Sequence, residues 1–250
     1  MFAKPRLFAI TPATMTQPMN AAAPGTRTVR TRIWDLPTRL FHWLLVICIV
    51  ALVVTAKMGG NAMNWHLILG QVVLALLIFR ILWGLVGGYW SRFTSFIPSP
   101  AALNRYLRGT ASAQDRAGHN PLGALSVLAM LLVLIAQVAS GLLSDDEIAF
   151  SGPLTRFVSG ETISQATNYH AHWGQYLIYG LVALHLLAII WYSIKGHKLV
   201  PAMVMGDKLL DTPVIAAQDS IGTRLLAAVL AIASSGLAWW VHQLGQVSGF

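Results

Sequence analysis

Charge and cysteine are both scarce in this chain. Only 10% of its 250 residues are Asp, Glu, Lys or Arg, against about 25% in soluble domains, which excludes a water-exposed globule. Basic residues outnumber acidic ones, 17 to 9, but they lie in loops between apolar runs. They form no patch interleaved with aromatics, so no nucleic-acid partner is expected. The single cysteine, Cys48, excludes an internal disulfide, a CxxCH attachment motif and a four-cysteine metal site; inside an apolar run it reads as a packing residue. Paired catalytic carboxylates, a nucleophile elbow, a phosphate loop and a dinucleotide fingerprint are also missing.

What is abundant is apolar sequence, 56% of the chain. Five stretches are long enough, at about 1.5 Å per residue, to cross a hydrocarbon core of roughly 30 Å. They are Leu40–Ala56, Trp65–Val86, Pro121–Leu143, Trp173–Ile194 and Leu225–Leu244. Asp35 and Pro37 suit the start of the first, as an N-cap and a preset φ angle. Residues 1–32, rich in Pro, Thr, Ala and Gly, lack a secretory h-region and are expected to be a disordered tail. The reading is an all-α membrane protein, with a transmembrane domain over 33–210 and a linker with a fifth helix over 211–250.

Lys and Arg sit before the first span (Arg27, Arg30, Arg32, Arg39), between the second and third (Arg92, Arg105, Arg108, Arg116) and after the fourth (Lys195, Lys198, Lys208, Arg224). The alternate loops carry Lys57, and Arg156 among Asp145, Asp146, Glu147 and Glu161. The positive-inside rule then predicts a cytoplasmic N-terminus and, after five crossings, a C-terminus on the opposite side. Trp43, Trp65, Trp90, Trp173 and Trp191 near the span ends fit an interfacial aromatic belt in contact with lipid, or packing on a cofactor.

Eight histidines are present, and this topology sorts them by depth. His42 lies near the cytoplasmic start of span one, and His185 deep in span four at the same level. His66 opens span two at the outer level, with His170 and His172 just ahead of span four. Each level could thus supply both axial ligands of one haem, imidazole being a standard haem ligand. A histidine taken alone could equally bond a neighbouring carbonyl or serve a proton relay. Gly70, Gly141, Gly174 and Gly180 would leave room for a flat macrocycle or for close helix packing. His119 at the mouth of span three reads as a solvated helix-start residue in preference to a quinone or propionate contact; His197 and His242 read as solvated.

The run Trp34-Asp35-Leu36-Pro37-Thr38-Arg39-Leu40-Phe41-His42-Trp43, the Trp65-His66 pair, the run Gly118-His119-Asn120-Pro121-Leu122-Gly123 and the stretch Leu199-Val200-Pro201-Ala202-Met203 resemble the bacterial cytochrome b561 family. That family is similar to the b-type cytochrome subunits of membrane hydrogenases and formate dehydrogenases. The resemblance covers about residues 30–210. It implies a four-helix bundle holding two bis-histidine haem b groups, with His42, His66 and His185 carried over as ligands. It further implies a bacterial inner-membrane protein with a periplasmic C-terminus. Its function would be electron transfer between the quinone pool and an outer-face c-type cytochrome or dehydrogenase subunit.

The chain departs from the family at the fourth ligand. The family spaces its two span-four ligands by fourteen residues, but here His170 is fifteen and His172 thirteen residues before His185. At about 100° per residue, fourteen leaves roughly 40° between the two side chains, fifteen about 60° and thirteen about 140°, so His170 fits a regular helix better. A π-bulge near Tyr179-Gly180 would absorb the extra residue, while an irregular first turn would favour His172. Arg39 and Arg80 are candidates for pairing with haem propionates or for snorkelling to headgroups. A stand-alone quinone reductase or oxidase is one alternative function. A haem-free transporter or membrane anchor with intramembrane histidines is another.

Overall fold

The computed structural model describes residues 28–246, so the expected disorder of residues 1–27 lies outside the described residues. Expected disorder through residue 32 is corrected at its end. Strand β1 (Val29–Arg32) pairs antiparallel with β2 (Asp207–Leu210), Val29 opposite Leu210 and Arg32 opposite Asp207. Backbone pairing across such a sequence distance leaves no local signature.

Between the strands run α1 (Leu36–Met58), α2 (Ala62–Val86), α3 (Phe93–Phe96), α4 (Pro100–Leu107), α5 (Ala113–Ala117), α6 (Pro121–Leu142), α7 (Gly160–Asn168), α8 (Gln175–Ile194) and α9 (Leu199–Met205); α10 (Ile221–Gln246) follows β2. Among the described residues five helical segments are long and apolar enough to cross a membrane: α1, α2, α6, α10 and the continuous run Gly160–Ile194. The fourth span is longer than its hydropathy indicates. A π-helical segment, Tyr169–Gly174, joins the polar α7 to α8 without a break. Loops rich in Lys and Arg lie together at one end of the bundle and the Asp145–Glu147 loop at the other; these ends are termed the basic and acidic faces.

The buried core joins α1, α2, α6 and α10. Phe41, Leu45 and Cys48 from α1 meet Val73, Leu77, Phe79 and Trp83 from α2, with Leu134 from α6 and Ala227 from α10. α8 contributes no buried residue and packs on α6 and α9.

A polar knot closes the basic face. Asp35 caps α1 through an acceptor bond from Thr38 N at 2.8 Å, and its other oxygen accepts from Ser91 Oγ at 2.7 Å. Arg80 comes down α2 to meet this group. It donates to Ser91 O at 3.1 Å, feels the Asp35 charge, and lies 5.1 and 5.5 Å from the Phe93 and Phe96 ring centroids. At 4% exposed, Arg80 does not snorkel. Gly88 is obligatory here, since a Cβ would stand 2.6 Å from Asp35 Oδ2. Trp90 is likewise no belt residue: it is 4% exposed, with its indole N–H donating to Ile215 O at 2.7 Å. Trp43, Trp65, Trp173 and Trp191 remain exposed at the span ends.

Removing one partner of a buried charged network leaves the other uncompensated, at about 3–5 kcal/mol. Asp35→Ala should therefore lower unfolding stability in detergent by about that amount. An unchanged denaturation midpoint would show that the knot does not hold the basic face together.

Candidate functional site

Two histidine pairs run along the bundle, as their depths in the sequence suggest. At the acidic face, His66 stands in the first turns of α2. Its Nδ1 is 3.0 Å from Leu52 O on α1 and 3.4 Å from Thr55 Oγ1. A carbonyl oxygen only accepts, so Nδ1 carries the proton and Nε2 keeps its lone pair. His170 has the same arrangement from the other side. Its Nδ1 is 2.9 Å from Gln137 O on α6, and Gln137 Nε2 donates back to His170 O at 2.9 Å. The two rings face each other at 6.0 Å between centroids, with planes at 90°.

Sequence position alone does not bring His170 here. A π-turn inserts one residue into an α-helix, so the fifteen residues between His170 and His185 act as about fourteen, leaving the two side chains about 40° apart. The bulge falls on Tyr169–Gly174 and not at Tyr179-Gly180, which lies within regular α8. His172, two residues on, points away and is exposed. Gly141 lets the His170 ring approach α6, since a Cβ there would stand 2.7 Å from its Cε1. Gly174 packs against Gln137. Gly70 and Gly180 have no atom within 4 Å of a Cβ position, so close packing does not account for them.

At the basic face, His42 follows Arg39 by one turn of α1, and its ring stands edge-on to Trp43 at 5.1 Å. Its Nδ1 is buried without a hydrogen-bond partner among the described residues. His185 on α8 lies within electrostatic reach of it. Arg39 donates from Nη1 to Val204 O at 2.6 Å, while its Nε is buried and unpartnered.

The expectation for His119 is overturned. The residue is half-buried, its ring 4.6 Å from Trp34 and 5.5 Å from Phe96, and its Nδ1 is buried and unpartnered among the described residues. Burial and the nearby Arg80 and Lys208 charges push its pKa down to about 3, so the imidazole is neutral. His42 and His185 also act on it, which places it beside the basic-face pair.

Gln137 is a site residue that reading the sequence missed. Its signal was a lone amide in the otherwise apolar α6, since polar groups inside spans tend to be functional. Among the described residues, no three His, Cys, Asp or Glu side chains gather to hold a metal ion. Two imidazoles are too few for a bare ion, which takes four ligands in structural zinc sites. They suit a metal carried by a ligand that fills its remaining positions.

Comparison with known proteins points the same way. The chain is 25% identical over 219 residues, covering 74% of it and 90% of the relative, to a "Probable Ni/Fe-hydrogenase B-type cytochrome subunit" of Cupriavidus necator. A protein of the same description from Rhizobium leguminosarum bv. viciae is 21% identical over 210 residues, 71% of this chain and 88% of that one. The "Probable Ni/Fe-hydrogenase 1 B-type cytochrome subunit" of Escherichia coli K12 is 24% identical over 135 residues, 44% and 57% of the respective chains. No solved structure matches significantly. The family model described as prokaryotic cytochrome b561 matches residues 33–206, which takes in every span except α10. The chain therefore belongs to the prokaryotic cytochrome b561 family, b-type cytochromes that carry haem b and move electrons within membranes.

Proposed function

We propose that this chain holds two haem b groups, one between His66 and His170 near the acidic face and one between His42 and His185 near the basic face, and conducts electrons between them. The observation that carries this reading is the acidic-face pair. His66 and His170 would hold the haem iron through Nε2, and their rings stand 6.0 Å apart between centroids. Both already donate Nδ1–H to a carbonyl, the outer-shell bond that metal-bound histidines characteristically make. The unfilled Cβ positions of Gly70 and Gly180 and the unpartnered His42 Nδ1 agree with a planar group in the bundle.

When bound, haem supplies reversible one-electron chemistry. The chain's own residues fix the ligand tautomers through Leu52 O and Gln137 O, shape the approach of His170 through Gly141, and exclude water with the apolar faces of α1, α2 and α6. The basic face is placed in the cytoplasm of a bacterium and the acidic face in the periplasm, following the positive-inside rule. On this orientation the chain sits in the inner membrane as a multi-pass protein. A hydrogenase-like or other dehydrogenase subunit, or a c-type cytochrome, exchanges electrons at the acidic face, and quinone does so near the basic face. Span α10, outside the matched region, packs along α2 and leaves α1, α2, α6 and the run Gly160–Ile194, three of which bear the histidines, to form the haem domain.

Pyridine-haem quantification and dithionite-reduced minus oxidised spectra test the assignment. Wild type should hold two haems per chain; His66→Ala and His170→Ala should each lose one, and His42→Ala and His185→Ala the other. His172→Ala should keep both. No haem in folded protein would favour the transporter or anchor alternative. Loss of haem from the His172 variant but not the His170 variant would overturn the ligand choice.

Gly141→Ala supplies an independent check, because its Cβ collides with the His170 ring. That variant should lose or spectrally perturb the acidic-face haem while leaving the other unchanged. An unperturbed spectrum would mean that His170 does not bind where it stands.

A further inference from the structure

Lys208 lies on β2, outside the spans, yet its ammonium turns inward. It donates to Ala117 O at 2.7 Å and Gly118 O at 3.2 Å, and lies 6.0 Å from the Trp34 ring centroid. An ammonium has three protons to donate, and two are placed. Among the described residues no carboxylate pairs with it. Asp207 is taken by Arg30 and Arg32, Asp219 by Arg32 and Arg224, Asp115 by Arg105, and Asp35 by Thr38 and Ser91. Burial lowers its pKa to about 8, which leaves it mostly charged at neutral pH. Two neutral carbonyls do not cancel a half-buried charge.

Arg39 is in the same condition across the turn that precedes β2. Gly206, at φ +91°, brings this turn so close that a Cβ on it would stand 3.2 Å from Arg39 Nε. That nitrogen is buried and unpartnered, and Arg39 is one turn from His42. Lys208 in turn is bonded to the carbonyl of Gly118, next to His119, which senses His42 and His185. Arg39 is thus one turn from His42, and Lys208 acts on His119, which also feels His42 and His185; the nearby carboxylates of Asp35 and Asp207 are already engaged. What this arrangement lacks is an anion with carboxylate-like acceptor oxygens.

We propose that Lys208, together with Arg39, receives a propionate carboxylate of the haem held at the His42–His185 site and sets that haem's potential. The inference rests on the two-haem reading above. Carboxylates favour ammonium and guanidinium partners through charge-assisted hydrogen bonds, and Lys208 has one proton left to give. Sequence reading nominated Arg39 and Arg80 for this task. Arg80 is instead committed to Ser91, Asp35 and two aromatic rings, and Lys208 takes its place.

Redox titration of the full-length protein in detergent, following each haem by its own spectrum, tests this in wild type, Lys208→Gln and Lys208→Arg. Glutamine keeps a donor for the two carbonyls but drops the charge; arginine keeps both. The expected result is that K208Q disfavours reduction of the basic-face haem about tenfold, a fall of about 59 mV for one electron, with the other haem unmoved and K208R close to wild type. An unmoved basic-face potential in K208Q overturns the proposal, as does an equal shift of both haems. Loss of bound anionic phospholipid without a potential change would also overturn it, by assigning the cation to a headgroup. Should K208Q not accumulate, reduced-minus-oxidised infrared spectra of wild type and K208R carrying haem with 13C-labelled propionates decide the matter. A labelled carboxylate band that moves with the Lys-to-Arg change supports the contact, and an unmoved one overturns it. If wild type holds no haem that His42→Ala removes, the two-haem reading itself has failed, an outcome distinct from all of these.

Discussion

A polar atom inside a membrane bundle has no water to turn to, so its partner must come from the bundle itself. At the acidic-face pair that constraint fixes more than the two rings. His66 on α2 is held by a carbonyl of α1, and His170 by a carbonyl of α6. Each imidazole is therefore oriented by a different helix from the one that bears it. Sliding α2 along α1, or α8 along α6, would break the Nδ1–H bond and turn Nε2 away from its partner. A helix carbonyl has a second lone pair beyond its own ladder bond, so the helices give up nothing to supply these acceptors. Helix register and imidazole orientation are one condition.

The same condition explains the π-turn. A regular helix through Tyr169–Gly174 would put His170 about 60° to one side of the direction of His185, whereas fourteen residues put it about 40° to the other, an error of about 100° in rotation. The inserted residue removes that error within the turn that needs it, and Gly174, buried against Gln137, allows the widened backbone to lie close to α6. Thr167, one turn before His170, exchanges hydrogen bonds with the backbone of Asp145. The acidic loop is thereby tied to the helix that bears His170.

The features legible in the sequence were those written in a single segment. Hydropathy marks α1, α2, α6 and α10 to within a few residues because an apolar run of that length has few other uses. Asp35 before Pro37 marks the start of α1 in the same local way. What escaped reading depends on packing between distant segments. The polar stretch Gly160–Asn168 looks like a loop, and it is helical because it continues into the π segment and α8. His119 follows a glycine and precedes Asn120-Pro121, the pattern of an exposed helix start; Trp34 and Phe96, from other parts of the chain, cover it. Trp90 is drawn inward by the Ile215 carbonyl, and β1 exists only through β2. That His170 and not His172 lies beside His66 goes with a backbone irregularity that has no compositional signature.

The two ends of the bundle use different physics on similar histidine pairs. At the acidic face the rings are fixed by neutral hydrogen bonds, and the nearby loop carries Asp145 and Asp146. At the basic face His42 has no such bond among the described residues, and the surroundings hold Arg39, Arg80 and Lys208, with Asp35 acting on Arg80 and Asp207 and Asp219 paired with other arginines. Interactions between charges strengthen as water is excluded, so this difference acts directly on any electron carrier placed between the histidines. Adding an electron is favoured where fixed cations dominate and disfavoured beside carboxylates. If haem is held at both levels, as proposed, this charge distribution alone would incline an electron from the acidic-face pair toward the basic-face pair.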